Sequence, residues 1–399
     1  MKRIIIKGLL IIAGTFILAQ SVPTVKIMFL GDSITEGRGF NFRYLLWNRC
    51  LDSGFTFIDF VGDSPRGNYL LGYDNDHQSY GGASTFHISP WGSAAIASMK
   101  PDIAFIHAGT NDREGLEKSL NAIREMVVNL RAQKPGVYIV LATIPTKGND
   151  YYTAYNNLAT ELYNGMSTFA IADVKTVWDD KTDTFDTVHP NLKGCMKIAD
   201  KYWEHLAPVL RWFNPPLEPR VREFPEESFN YAIDTAVTAS RSLNGFGPEL
   251  AFDGDEFTYW TARAHVIDAE TLPPAVDWLE VDLGQVTLLE GTAVHWTITA
   301  RNYGYKIDVR SAEEDLWETV VEKTVATSET AFPFIGNVDY FDKEARYVRL
   351  TVTDVNRGND DWFKFPASVS EFRVFGPEPV NVSRRIKAGA NENFIIKVP

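Results

Sequence analysis

Short apolar runs alternate with amphipathic stretches through the first half of the chain. Val25 to Leu30, Phe55 to Val61, Ile103 to Ala108 and Val137 to Ala142 are nearly continuous in apolar residues. Such runs predict strands buried on both faces of a parallel sheet. Ile171 to Val174 is a shorter fifth candidate. Between them, Leu116, Leu120, Ile123, Val127 and Leu130 fall on one helical face, and Leu192, Met196, Ala199, Trp203 and Leu206 do so again. Strand alternating with helix predicts an α/β domain with a parallel sheet covered on both faces. Ligands of such sheets bind beyond the carboxyl ends of the strands.

The pattern then changes. Pro215, Pro216, Pro219 and Pro225 lie among charges and mark a semi-rigid linker, assigned to residues 213–230. Beyond it come Val-, Thr-, Ile- and aromatic-rich runs separated by turns: Trp278 to Leu283, Ala293 to Thr299, Tyr305 to Arg310, Tyr347 to Thr353 and Val369 to Phe375. They predict an antiparallel all-β sandwich over residues 231–376. Residues 377–399 form a tail of no assigned role. No internal repeat or low-complexity tract is evident.

The chain has 399 residues, 45% of them hydrophobic and 23% charged, enough for two ordinary cores. Its formal net charge of −13 argues against a nucleic-acid partner, which wants clustered Lys and Arg. Lys2, Arg3 and Lys7 precede an apolar run from Gly8 to Ala19, which reads as a signal peptide over residues 1–20. That run is short for a membrane span. The expectation is therefore a secreted protein, periplasmic or extracellular, with no stable membrane insertion. An uncleaved membrane anchor is the alternative. Cys50 and Cys195 are the two cysteines, and their spacing leaves both a disulfide and two buried thiols open. No Cys-x-x-Cys or Cys-x-x-His spacing points to zinc.

Three motifs carry chemistry. Gly31-Asp32-Ser33-Ile34-Thr35 and Gly109-Thr110-Asn111-Asp112 each follow a predicted strand, and Asp186-Thr187-Val188-His189-Pro190-Asn191 precedes a predicted helix. A turn after a strand exposes the Ser33 hydroxyl at the sheet edge and aims its N–H at the same point. Asp186 and His189, three apart, let a carboxylate bind Nδ1 and free Nε2 to face a serine. Together they supply a nucleophile, a base, its orienting carboxylate and an oxyanion donor. Alone, Ser33 would read as a helix N-cap and Asp-x-x-His as a solvent-facing pair. Asp179, Asp180 and Asp183 are rival orienting carboxylates. Asp32 and Asp112 read as loop-bracing residues, and Arg113 as an exposed arginine. His77 and His107 are candidates to line the pocket, with His107 alternatively a core residue of its strand.

These blocks resemble those of SGNH hydrolases, the GDSL-type esterases, over roughly residues 24–210. The resemblance implies a flavodoxin-like three-layer domain, assigned to residues 21–212, and a Ser-His-Asp esterase that needs no cofactor for catalysis. Ser33 would be the nucleophile, His189 the general base and Asp186 its partner. The oxyanion hole would be formed by the Ser33 N–H, a glycine N–H and the Asn111 side chain. The segment Asp76-His77-Gln78-Ser79-Tyr80-Gly81-Gly82 is similar to a block of the acetyl xylan esterase branch, approximately His-Glu-Gly-(His/Tyr)-Ser-Gly. This aligns Gly82 with the oxyanion glycine, with Gly81 as the fallback. Gln78 and Ser79 depart from the Glu and Gly of that pattern.

The second half resembles discoidin or coagulation-factor C-type domains, with a galactose-binding-like sandwich. The motifs are Ala251-Phe252-Asp253-Gly254-Asp255, Thr258-x-Trp260, Trp278-x-x-Val281-Asp282-Leu283-Gly284, Tyr347-Val348-Arg349-Leu350 and Glu371-x-x-Val374-Phe375-Gly376. The resemblance implies a structural Ca²⁺ at Asp253, Asp255, Thr258 and Glu371, an oxygen-rich set suited to calcium. A metal-free Asp-Gly turn is the alternative. Trp296, Tyr303, Tyr305 and Trp362 are candidates to stack on sugar rings.

The reading is a secreted serine esterase that removes O-acetyl groups from polysaccharide or oligosaccharide, acetyl xylan esterase-like, with a glycan ligand for the second domain. Two other readings stand beside it: a lysophospholipase or thioesterase, and a non-catalytic surface glycan-binding protein.

Overall fold

The computed structural model describes residues 23–37, 41–64, 73–163, 168–220, 229–262, 276–297, 302–328, 336–355 and 367–378. The signal peptide assigned to residues 1–20, Trp362, residues 221–228 of the linker and residues 379–399 of the tail lie outside them.

The first half holds strands β1 (Val25–Gly31), β2 (Ile58–Val61), β3 (Gln78–Ser79), β4 (Ile103–His107), β5 (Tyr138–Ala142) and β6 (Phe169–Ala172). Its helices are α1 (Ser33–Glu36), α2 (Phe42–Asp52), α3 (Thr85–Met99), α4 (Leu116–Gln133), α5 (Asn149–Tyr163) and α6 (Leu192–Phe213). All strands pair in parallel in the order β2-β1-β4-β5-β6, with the two-residue β3 against the end of β1.

Strand periodicity explains the three layers. Along β1, Ile27 and Phe29 point into one core with Phe42 and Leu46 of α2 and Ile198 and Tyr202 of α6. Met28 and Leu30 point into the other, with Ile96 of α3, Ile123 of α4 and Leu158 of α5. Strands β4 and β5 divide in the same way, Phe105 and Val140 to the first core, Ile106 and Leu141 to the second. The order reverses between β1 and β4, so the crevice beyond their carboxyl ends is the topological switch point.

The fifth strand lies two residues earlier than expected, at Phe169–Ala172. Val174 is buried in the same core but leads into a 3₁₀ turn at Lys175–Val177. Burial, not extension, explains its apolar character. Helix α6 continues to Phe213, and the proline-rich segment after it is strapped to the domain. Leu217 donates its N–H to the Gly54 carbonyl at 2.9 Å, and the Arg220 side chain bonds Asp52 at 2.7 Å.

The second half contains β7 (Phe229–Asn230), β8 (Ala236–Ala239), β9 (Trp260–Thr261), β10 (Asp277–Trp296), β11 (Tyr303–Arg310), β12 (Glu318–Lys323), β13 (Asn337–Val355) and β14 (Ser368–Gly376), all paired antiparallel. The runs Trp278 to Leu283 and Ala293 to Thr299 fall largely on one strand, β10, which ends at Trp296. Its register slips between Asp282 and Thr287 and again between Leu289 and Gly291. Bulges bend a strand, and all eight strands join through β10, β13 and β14 into one antiparallel sheet. Leu279, Val281, Val348 and Leu350 share one core with Val294, Val369, Phe372 and Val374.

Cys50 and Cys195 are free thiols in the first core, and burial pushes both well above the usual thiol range.

Candidate active site

Helix α1 begins where β1 ends. Asp32 caps it, its carboxylate accepting the Ile34 N–H at 3.1 Å, and Ser33 occupies the first helical position. A first-turn N–H has no acceptor inside its own helix, so the Ser33 N–H is not committed to the helix ladder. The other Asp32 oxygen accepts the Thr110 N–H at 3.3 Å and ties the first motif to the second. Burial pushes the Asp32 carboxyl up to about 6 from 3.8, against the pull of the bonds from Ile34 and Thr110.

The third motif reaches the same place. The His189 ring is 2.8 Å from the Ser33 hydroxyl through Nε2 and 2.6 Å from the Asp186 carboxylate through Nδ1. The other Asp186 oxygen accepts the His189 N–H at 2.6 Å and the Val188 N–H at 3.1 Å. Burial raises the Asp186 carboxyl, but the bonds from the His189 ring and backbone outweigh it and leave it below its usual value. The turn is held tightly enough to place Thr187 at φ 73°, in the left-handed region. Phe185 packs on the His189 ring, with centroids 5.9 Å apart. Asn191 caps α6 by accepting the Gly194 N–H at 3.0 Å, so the motif ends where the helix begins.

The rival carboxylates are engaged elsewhere. Asp183 is fully buried against Lys197, Asp179 caps the Lys181 N–H, and Asp180 accepts the Trp178 indole N–H.

Asn111 donates its side-chain amide to the Ala83 carbonyl at 3.1 Å, which sets it beside the Gly81-Gly82 turn. Gly82 sits at φ +79°, a conformation that favours glycine. Tyr80 N–H donates to the Gly31 carbonyl at 2.9 Å and so anchors that turn against the end of β1. Asp112 accepts both the N–H and the hydroxyl of Thr85 at 2.8 Å, fixing the start of α3 beside Asn111. Asp32 and Asp112 therefore brace loops, as their positions implied. Arg113 is exposed.

His107 is buried in β4 with Nδ1 2.9 Å from the Tyr202 hydroxyl, and burial pushes it down to about 4. It is a neutral core histidine. His77 is also buried, its Nδ1 2.6 Å from the Ser79 hydroxyl.

Arg43 escaped the sequence reading. It is fully buried in α2 and donates to four carbonyls: Thr35 at 2.9 Å, Glu36 at 3.3 Å, Asn75 at 2.9 Å and Asp76 at 3.3 Å. It thus joins the turn carrying Ser33 to the segment before β3. An arginine flanked by Phe42 and Tyr44, Leu45 and Leu46 was the available signal.

In the second domain, the Thr258 hydroxyl lies 2.8 Å from the Asp253 carboxylate, 3.0 Å from the Asp255 carbonyl and 3.2 Å from the Leu250 carbonyl. Glu371 is fully buried; Oε2 accepts the Gly254 N–H at 3.0 Å and Oε1 has no partner among the described residues. Of the four residues named for calcium, Thr258 meets the Asp253 carboxylate and the Asp255 carbonyl, while the Asp255 carboxylate caps the Phe257 N–H and Glu371 reaches the turn through Gly254. Among the described residues no group of three His, Cys, Asp or Glu side chains is spaced to hold a metal, so carbonyls and the hydroxyl must complete any site.

Three of the four sugar-stacking candidates are core residues. Trp296, Tyr303 and Tyr305 are almost fully buried, with Trp296 stacked on Tyr303 at 3.8 Å between centroids. The Trp296 indole donates to Asn337 and the Tyr305 hydroxyl to Asp339, both at 2.6 Å.

A doubly covered parallel sheet that brings a serine, a histidine and a carboxylate together at its switch point is the layout of an α/β hydrolase domain. Residues 29–196 match the GDSL-like Lipase/Acylhydrolase family, and residues 236–365 match the F5/8 type C domain. The chain thus carries a GDSL-type esterase domain followed by an F5/8 type C domain.

A "Multidomain esterase" of Ruminococcus flavefaciens is 31% identical over 221 residues, 47% of this chain and 29% of that protein. The chain therefore spans under a third of the length of the curated relative it matches. A family 3 carbohydrate esterase of Clostridium thermocellum is 26% identical, with a TM-score of 0.43 over 47% of this chain and 98% of that one. Chitosan-binding module 1 of a Paenibacillus sp. IK-5 chitosanase/glucanase is 25% identical, with a TM-score of 0.27 over 37% of this chain and 99% of that one.

Proposed function

We propose that the protein is an exported serine esterase that removes O-acetyl groups from polysaccharide. The observation that carries this reading is the unbroken relay from Asp186 through His189 to the Ser33 hydroxyl. Ser33 Oγ forms a bond to the ester carbonyl carbon as its proton passes to His189 Nε2. The carbonyl oxygen becomes an oxyanion, received by the Ser33 and Gly82 N–H groups and the Asn111 amide. The tetrahedral species collapses, the bond to the sugar oxygen breaks, and His189 returns the proton to that oxygen. Water, activated by the same histidine, then releases acetate and restores Ser33. Asp186 holds the tautomer with its proton on Nδ1.

The esterase class is supported by the GDSL-type domain and by the esterase relative. The polysaccharide rests on the attached F5/8 type C domain, which would hold the enzyme near a glycan and raise the local concentration of ester. The test is acetate release from acetylated xylan by the wild type and by Ser33→Ala, with 4-nitrophenyl acetate alongside. Release lost in the variant supports the reading. Activity on the small ester alone moves the substrate to another acetylated glycan or to a longer acyl ester. Silence on both favours a glycan-binding protein without catalysis.

A second reading concerns the F5/8 type C domain. Asp253, Asp255, Thr258 and Glu371 would hold a structural Ca²⁺. The buried Glu371 Oε1, without a partner among the described residues, belongs to a side chain that already accepts from Gly254 of the Asp253–Asp255 turn, and this favours it. A bound ion would cross-link the Leu250–Thr258 turn to β14 and would take no part in ester chemistry. A higher unfolding temperature in millimolar calcium than in chelator supports the site, and identical curves refute it.

A further inference from the structure

An aromatic cluster lies open beside the oxyanion turn. Trp91 of α3 is 48% exposed, among the larger apolar exposures on the first domain. It flanks the buried face of α3, which is made by Ile88, Gly92, Ala95 and Ile96, and stays half in solvent itself. Yet its ring is held on two sides. His87, one turn earlier, stacks on it with centroids 5.1 Å apart and planes 16° apart. Tyr80 meets it edge-on, also at 5.1 Å. These neighbours are fixed in turn: the Tyr80 hydroxyl accepts from Gln78 and donates to the Trp91 carbonyl, and His87 Nδ1 is 3.0 Å from the Ser84 hydroxyl.

The cluster is continuous with the site. Tyr80 opens the turn that carries Gly82 and is bonded to Gly31, two residues before Ser33. The first residue of α3 is bonded to Asp112, next to Asn111. A surface aromatic that is ordered without being buried is prepared for a ligand, since little freedom remains to be lost on binding.

We propose that Tyr80, His87 and Trp91 form a shelf for a neutral pyranose ring of the acetylated chain, next to the sugar that bears the scissile ester. This rests on the esterase reading above and adds how the polysaccharide is held. The ring's C–H face packs on Trp91, while His87 and the Tyr80 hydroxyl offer polar edges to sugar hydroxyls. An acyl chain would instead want an enclosed apolar groove, and this surface is open.

The test compares the full-length wild type, Trp91→Ala and Trp91→Phe on acetylated xylotetraose, acetylated cellotetraose, acetylated chitotetraose, 4-nitrophenyl acetate and 4-nitrophenyl hexanoate. For a tetrasaccharide that the wild type deacetylates, Trp91→Ala should raise KM about five- to tenfold with kcat within about twofold, and Trp91→Phe should recover most of the loss. The ratio of kcat/KM on that tetrasaccharide to that on 4-nitrophenyl acetate should fall correspondingly. His87→Ala should repeat the effect more weakly and serves if Trp91→Ala does not fold. An unchanged KM on the glycan overturns the shelf while leaving the esterase standing. A loss confined to the hexanoate assigns the surface to the acyl group and also overturns it. Wild-type activity on 4-nitrophenyl acetate with none on any tetrasaccharide overturns the polysaccharide reading, and the shelf with it.

Discussion

Asp186 holds His189 at two points, accepting from the ring at Nδ1 and from the backbone N–H, both at 2.6 Å. Nε2 is thereby aimed at the Ser33 hydroxyl, 2.8 Å away. Ser33→Ala should abolish hydrolysis of 4-nitrophenyl acetate, a fall in kcat on the order of 10⁴ or more. Asp186→Asn keeps the size of the side chain but can present an N–H₂ where a proton acceptor is needed, so kcat should fall on the order of 10³ to 10⁴. Near-normal turnover by Asp186→Asn would mean that another carboxylate orients the base.

Asn111 is fixed by its bond to the Ala83 carbonyl, so its remaining amide hydrogen needs no reorganisation to meet an oxyanion. Asn111→Ala should raise the barrier by about 3 kcal/mol, close to two orders of magnitude in kcat, with KM for 4-nitrophenyl acetate little changed. A change in KM alone would place Asn111 in ground-state binding instead.

Arg43 carries structure where the chemistry needs rigidity. Removing its guanidinium strands four carbonyls, two of them in the turn that carries Ser33. Arg43→Met should destabilise the fold by about 3–5 kcal/mol in denaturant titration. Arg43→Lys should recover only part of this, because an ammonium cannot spread its donors over both segments. An Arg43→Met variant as stable as the wild type would show that water satisfies those carbonyls.

What the sequence made legible was local. Ser33, Asn111 and the Asp186–His189 pair each sit within a few residues of a strand end or helix start, and their motifs survive in one dimension. The two-core alternation of β1, β4 and β5 was legible for the same reason. Arg43 was not, because its partners at Thr35, Glu36, Asn75 and Asp76 are backbone groups that only the fold brings to it. Nor were Trp296, Tyr303 and Tyr305, whose residue types suit a sugar face and a sandwich core equally well. The fusion of two predicted runs into β10 depended on bulges that leave no mark in polar alternation. Trp91 was passed over because nothing in a helical pattern tells an exposed aromatic from a buried one.

Asp32 offers a pH test with a definite sign. Its carboxyl is fully buried and pushed up to about 6 from 3.8, so the folded protein holds the proton more tightly than the unfolded chain does. The wild type therefore loses stability at this residue as pH rises from 3.8 through about 6, and the loss is complete above that window. It amounts to about 3 kcal/mol. An Asp32→Asn variant has no such titration. It also opposes an amide donor to one of the N–H groups of Ile34 and Thr110, a pH-independent cost of about 1 kcal/mol. The stability of Asp32→Asn relative to the wild type should thus start slightly negative near pH 4 and climb by about 2 kcal/mol by pH 7, as read from urea titrations at each pH. Activity should fall in the variant at every pH, because Asp32 positions both the Ser33 turn and Thr110. Stability curves that stay parallel across the range would show that Asp32 keeps an ordinary carboxylate pKa despite its burial.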